Sequence, residues 1–220
     1  IKNYKQTKDH IRSGIRVTMM VLIPSAVGMT VLAFPIMGIL FPQEDTIHLA
    51  TMLLAIGSPG VVFFGLSTLT NGILQAIGEV NAPLKNAAIA LIWHCIITTL
   101  LLFFTPLGLY SLVIANCFYG LQVCILNQKS LRKKTHYKQE IRRTYVLPFV
   151  AAIFMGIFAG GCYYGLFALT KKVFIPLIIS VIVGIIVYFV IILYMYAEHP
   201  KDLQAIPYLN RIVYKIRKRK

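Results

Sequence analysis

Acidic side chains are scarce: Asp and Glu number 7 against 22 Lys and Arg in 220 residues, for a formal net charge of +15. Asp9, Glu44, Asp45, Glu79, Glu140, Glu198 and Asp202 all lie in loops, tails or helix ends, outside the long apolar stretches. Proton and sodium pumps use carboxylates at membrane depth, so any ion coupling resides outside this sequence or uses other groups. Cysteine is also sparse. Cys95, Cys117, Cys124 and Cys162 lie singly in apolar runs with no C-x-x-C pair, which argues against a disulfide framework and a zinc site. The sequence lacks G-x-S-x-G, a glycine-rich phosphate loop with its lysine, and H-E-x-x-H. Nothing points to an enzyme, and no cofactor or metal is expected.

What is abundant is hydrocarbon. The chain is 58% hydrophobic with a mean hydropathy of +0.75, above the roughly half-apolar usage of soluble domains. A helix needs about 20 apolar residues to cross a bilayer core. Six stretches qualify: Val17 to Phe41, Leu49 to Ile77, Ala87 to Phe104, Leu107 to Leu126, Val146 to Leu169 and Val173 to Tyr196. The expected fold is all-α, a polytopic membrane bundle of six helices, with the third and fourth joined by the tight turn "TPLG".

Orientation follows from charge. All of the 22 lysines and arginines except Lys171 and Lys172 fall in the N-terminal segment, the "GEVNAPLK" loop, the stretch 128–143 or the tail. This positive-inside pattern puts both termini in the cytoplasm and accounts for the basic balance without nucleic acid. The regions are then a basic segment over 1–16, four membrane helices over 17–127, a basic cytoplasmic loop over 128–145, two further helices over 146–196 and a basic tail over 197–220. In the tail, Leu209, Ile212, Val213 and Ile216 share one helical face amid dense positive charge, the pattern of an interfacial helix drawn to anionic lipid. The chain opens on Ile1 with no signal-peptide pattern and is expected to be a piece of something longer.

The informative residues are the exceptions inside the apolar runs. Pro24, Gly28, Pro35 and Gly38 predict a first helix broken twice, and "IGSPG" at 56–60 predicts a kink or discontinuity in the second. Ser67, Asn71 and Gln75 recur at i, i+4, i+8; Asn86, His94 and Thr98 share a face of the third helix, and Asn116, Tyr119 and Gln122 one of the fourth. Each group alone reads as interhelical hydrogen bonding; three adjacent stripes together point to a cavity or a lobe interface. His94 reads as a neutral hydrogen-bonding core residue, with a proton relay as the alternative. Two G-x-x-x-G spacings, Gly156/Gly160 and Gly161/Gly165, predict close packing of the fifth helix. The sixth is apolar all round and reads as lipid-facing, with Tyr194 and Tyr196 as an interfacial belt.

Two quoted stretches, "IRSGIRVTMMVLIPSAVGMTVLAFPIMGILF" and "STLTNGILQAIGEVNAPLKNAAIALIWH", resemble the polysaccharide-flippase branch of the multidrug/oligosaccharidyl-lipid/polysaccharide exporter superfamily. Within it they are similar to stage V sporulation protein B-like and lipid-linked peptidoglycan precursor flippases, over roughly residues 11–131. The resemblance implies a transporter of twelve to fourteen helices in two lobes, of which this chain would be the last six, with the missing N-terminal helices of the same chain as partner. It also implies transbilayer movement of a lipid-linked oligosaccharide or peptidoglycan precursor by alternating access, in polysaccharide, cell-envelope or spore-cortex synthesis. The family's cationic cavity lies largely in the missing helices, and the six apolar stretches here contain no arginine.

On this reading the substrate-pathway candidates are Ser67, Asn71, Gln75, Lys85, Asn86, His94, Asn116 and Gln122. Lys85 reads either as a topological charge that snorkels or as a contact for an entering pyrophosphate. Two other functions compete: drug or cation efflux within the same superfamily, and a non-transporting membrane scaffold working through its basic loop and tail.

Overall fold

The computed structural model describes residues 2–41 and 44–197, so the expected interfacial helix of the tail lies outside the described residues. Helices α1 (Lys2–Val31), α2 (Ala33–Leu40), α3 (Glu44–Ala76), α4 (Asn81–Phe104), α5 (Leu109–Thr135), α6 (Leu147–Thr170) and α7 (Phe174–Ala197) run up and down in one bundle, with a π turn at Arg142–Val146 leading into α6. Six spans are long and apolar enough to cross a membrane, and there is no strand among the described residues.

Helices outrun their hydrocarbon. α1 is helical from Lys2 because Ile11, Ile15, Met19 and Ile23 repeat every fourth residue on one buried face. α5 passes the expected end at Leu126 because Cys124, Asn127, Leu131 and Thr135 continue its buried face. It stops at His136, which adopts a left-handed φ of 50° and donates its N–H to Arg132 O. α3 ends in a Schellman arrangement around Gly78 (φ 86°), with Glu79 N–H on Leu74 O and Gly78 N–H on Gln75 O.

Of the two breaks expected in the first helix one is found, and the second span has no discontinuity. α1 runs unbroken through Pro24 and α3 through Pro59; the single interruption is Leu32, between α1 and α2. There Leu32 N–H still reaches Gly28 O at 2.9 Å and Ile36 N–H reaches Leu32 O at 3.1 Å, while Pro35 has no N–H for Val31 O. Pro24 similarly leaves Met20 O without its helical donor, and that carbonyl accepts from Tyr188 Oη of α7 at 2.7 Å.

α3 packs on α5 and α1, α4 on α5, and α6 on α7 and α1. α4 is the barest helix, with 6% of its apolar span buried against 39% for the span containing α6. α7 is not lipid-facing all round. Pro176, Ser180, Gly184, Tyr188, Ile192 and Tyr196 form a buried stripe at every fourth position. Tyr196, read as belt, is 2% exposed and donates to Arg143 O at 2.5 Å, whereas Tyr194 is 83% exposed.

The two glycine pairs of α6 divide. A Cβ on Gly156 would sit 3.0 Å from Val27 Cγ1 and 3.2 Å from Val31 Cγ2, and one on Gly160 3.0 Å from Val31 Cγ1. Gly161 and Gly165 meet nothing within 4 Å. Valine in a helix holds one rotamer and gives way poorly, so Gly156→Ala is expected to cost about 1 kcal/mol by overpacking. Gly161→Ala should instead gain up to about 1 kcal/mol of helix propensity. Thermal unfolding in detergent checks both, and equal effects of the two would refute the assignment of α6's packing face.

At the end of the bundle that gathers Arg12, Arg16 and Lys134, two acids tie elements together. Glu140 bridges Arg12 at 2.5 Å and Arg16 at 2.8 Å, and Glu79 pairs with Lys134 at 2.5 Å. Arg16 thus belongs to α1 and is 4% exposed.

Candidate functional site

The polar residues of α3, α4 and α5 meet at one fully buried side chain, Asn127. Its Nδ2 donates to Asn71 Oδ1 at 2.7 Å and Thr70 Oγ1 at 3.1 Å and lies 3.4 Å from Ser67 O, all on α3. Its Oδ1 accepts from Asn86 Nδ2 of α4 at 2.9 Å, and the same Nδ2 reaches Ser130 Oγ of α5 at 3.1 Å. Three helices are joined through one amide. Every member is neutral and none titrates near physiological pH, so the cluster can fix geometry but cannot carry a proton.

Of the candidate pathway residues, the structure brings Ser67, Asn71 and Asn86 together in this cluster. Ser67 and Asn86 are buried, and Ser67 Oγ donates back to Phe64 O at 2.8 Å. Gln75 and Lys85 are exposed and stand outside it. His94 is half-buried elsewhere on α4, with Nδ1 3.1 Å from Ala115 O and its ring edge-on to Tyr119 at 5.7 Å. Gln122 is half-buried, and its Oε1 has no hydrogen-bond partner among the described residues.

Asn116 is exposed and stands with Thr68 on the lining of a separate pocket of about 450 Å³ between α1, α3 and α5. Gly57, Gly60 and Gly65 of α3 line it too, and let α1 and α5 approach closely: a Cβ there would meet Val113 at 3.1 Å, Cys117 Sγ at 3.2 Å and the Leu22 side chain respectively. Adjacent residues of α3 therefore serve two faces, Ser67 inward to the cluster and Thr68 outward to the pocket. No group of three or more His, Cys, Asp or Glu able to hold a metal occurs among the described residues.

Asn127 and Ser130 were missed by sequence reasoning because hydropathy ends the fourth span at Leu126. The signal was present in the period: Gly120, Cys124, Asn127 and Leu131 share one helical face once the helix is allowed to continue.

The chain's fold is that of a known group. A family model described as "Lipid II flippase MurJ" matches residues 2–199. The chain belongs to the MurJ lipid II flippase family. A solved structure titled "Lipid II flippase MurJ, inward closed conformation" is similar at a TM-score of 0.73 and 18% sequence identity, covering 88% of this chain and 40% of that one. The chain therefore spans less than half the length of that MurJ structure. No curated protein matches the sequence. MurJ proteins are multi-pass proteins of the cytoplasmic membrane, and the six apolar helices fit that setting. The resemblance to the lipid-linked flippase branch read from the prolines, glycines and "TNGILQAIG" is thus met by both the family and the fold.

Proposed function

We propose that the chain supplies six C-terminal helices of a transporter that moves a lipid-linked peptidoglycan precursor of the lipid II type across the cytoplasmic membrane by alternating access. The family match over residues 2–199 carries this reading. Elements α1 to α5 complete one lobe, α6 and α7 stand beside it, and the bare outer face of α4 supports cover by further helices of the same chain. The lysine and arginine distribution supports a cytoplasmic location for the basic end.

Within this reading the buried amides are the rigid joint of the lobe and the exposed residues are its wet face. On it, exposed Lys85 and Gln75, near the basic end, meet an anionic headgroup arriving from the cytoplasm, and Thr68 and Asn116 meet polar groups at the pocket between α1, α3 and α5. The test is thiol accessibility in the full-length protein, with Cys95, Cys117, Cys124 and Cys162 replaced and reconstituted in proteoliposomes. Gln75→Cys, Lys85→Cys and Asn116→Cys are expected to react with a membrane-impermeant reagent and to be shielded by added lipid II. Ser67→Cys and Asn86→Cys should stay protected throughout. Reaction that ignores lipid II at all three exposed sites would remove them from the pathway. Absence of fluorescent lipid II movement in the same vesicles would refute the transport assignment itself.

A further inference from the structure

α6, α7 and the π turn join the remaining helices almost wholly through α1 and α2. The seam has three levels: Gly156 and Gly160 against Val27 and Val31, Tyr188 Oη on Met20 O, and Glu140 on Arg12 and Arg16. The chain reaches this pair of helices through residues 136–140, the non-helical stretch after α5, and then through the π turn, a one-turn irregularity that tolerates register change. Arg143 O inside the turn has Pro148 five residues ahead, where a π hydrogen bond would need an N–H, and it accepts from Tyr196 Oη of α7. The turn therefore moves with α7. Tyr137 is buried in the same joint, its phenol pushed up in pKa by burial, with Arg12 acting in the opposite sense.

Alongside the seam lies an apolar groove of about 510 Å³, with Ile23 and Val27 of α1, Pro59 and Phe63 of α3, and Tyr145 and Phe149 of the π turn and α6 facing it. The groove is room into which the π turn and the start of α6 can travel toward α3. What opposes that travel at the basic end is one carboxylate holding two guanidiniums of α1, one of them buried.

We propose that the π turn, α6 and α7 form an arm hinged at residues 136–139, and that Glu140, at the head of the arm, is the latch holding it against α1 with the groove open. Arg16 is 4% exposed, so its 2.8 Å pair with Glu140 is little screened by water and removing the carboxylate's charge weakens the docked position. Arg12, 41% exposed at its side chain, is the weaker half of the clasp. The latch stands on the geometry alone; its role in transport rests on the flippase reading above.

The experiment uses the full-length protein without native cysteines, carrying Val27→Cys with Gly156→Cys, positions where an added Cβ on Gly156 lies 3.0 Å from Val27 Cγ1, one bond from Val27 Cβ. Disulfide formation is expected to be fast with the latch intact, roughly tenfold slower with Glu140→Gln because the docked population falls, and intermediate with Arg12→Gln. An unchanged rate in both variants overturns the latch. If Glu140→Gln fails to fold, Arg12→Gln still decides the matter. In the same vesicles, oxidising the cysteine pair is expected to stop lipid II movement and reduction to restore it. Undiminished movement with the arm locked overturns its part in transport. A protein that moves no lipid II before oxidation sinks the flippase reading, while the disulfide rates still judge the latch.

Discussion

Asn127→Leu is expected to destabilise the protein by about 3 kcal/mol and to abolish function, although leucine is nearly the same size and the site excludes solvent. Interhelical hydrogen bonds in membranes contribute only about 0.6 kcal/mol on average, which would make this substitution mild if Asn127 held one such bond. It holds several at once, to Asn71 and Thr70 and from Asn86, within a site of zero exposure. Leucine leaves Asn71 Oδ1 and an Asn86 N–H facing a side chain that can neither donate nor accept, at about 1–3 kcal/mol for each buried group left unsatisfied. The multiplicity decides the outcome.

Asn86→Leu should cost less, because Asn127 keeps its α3 partners. The double variant should cost less than the sum of the two, since the first already removes the bond they share. Thermal unfolding in detergent, read beside movement of fluorescent lipid II, checks this. Additive losses would mean that the two amides act independently. The same argument explains why α4, the barest helix, stays in place: its buried Asn86, with Glu79–Lys134 at the preceding turn, anchors its first turns to α5.

The number and order of the membrane spans were legible in the sequence because the hydrocarbon core sets a minimum length that hydropathy reads directly. The helix ends were not. A helix continues as long as one face has something to bury, and Ile11 and Ile15 of α1 or Leu131 of α5 do so among lysines and arginines that depress any average. Asn127 was lost at such an end. The eight candidate residues split for a related reason: period places Ser67, Asn71 and Gln75 on one face, but α5 covers the first two and leaves Gln75 exposed. Tyr196 was misread because an aromatic near a span's end is usually interfacial, while its fourfold spacing from Tyr188, Ile192 and Gly184 puts it on the buried stripe.

Proline was legible as a lost donor but not as an intact helix, since what keeps α1 unbroken comes from 168 residues away in the chain. That pairing gives the second large effect. Tyr188→Phe keeps the ring and its packing and removes only the hydroxyl that Met20 O accepts from, at a site 6% exposed. Water does not reach a bilayer core to replace it, and Pro24 removes the helical alternative. The expected loss is about 2 kcal/mol, toward the upper part of the range for an unsatisfied buried carbonyl.

Pro24→Ala returns an N–H to the ladder, so in that background Met20 O has its own helical partner. Tyr188→Phe should then cost only about 0.5 kcal/mol, the ordinary value of a membrane hydrogen bond. The coupling of more than about 1 kcal/mol between residues 24 and 188 is the decisive quantity, obtained from unfolding of the four proteins in one detergent. A loss from Tyr188→Phe that is equal in both backgrounds would mean that the hydroxyl serves some purpose other than replacing the donor that proline lacks.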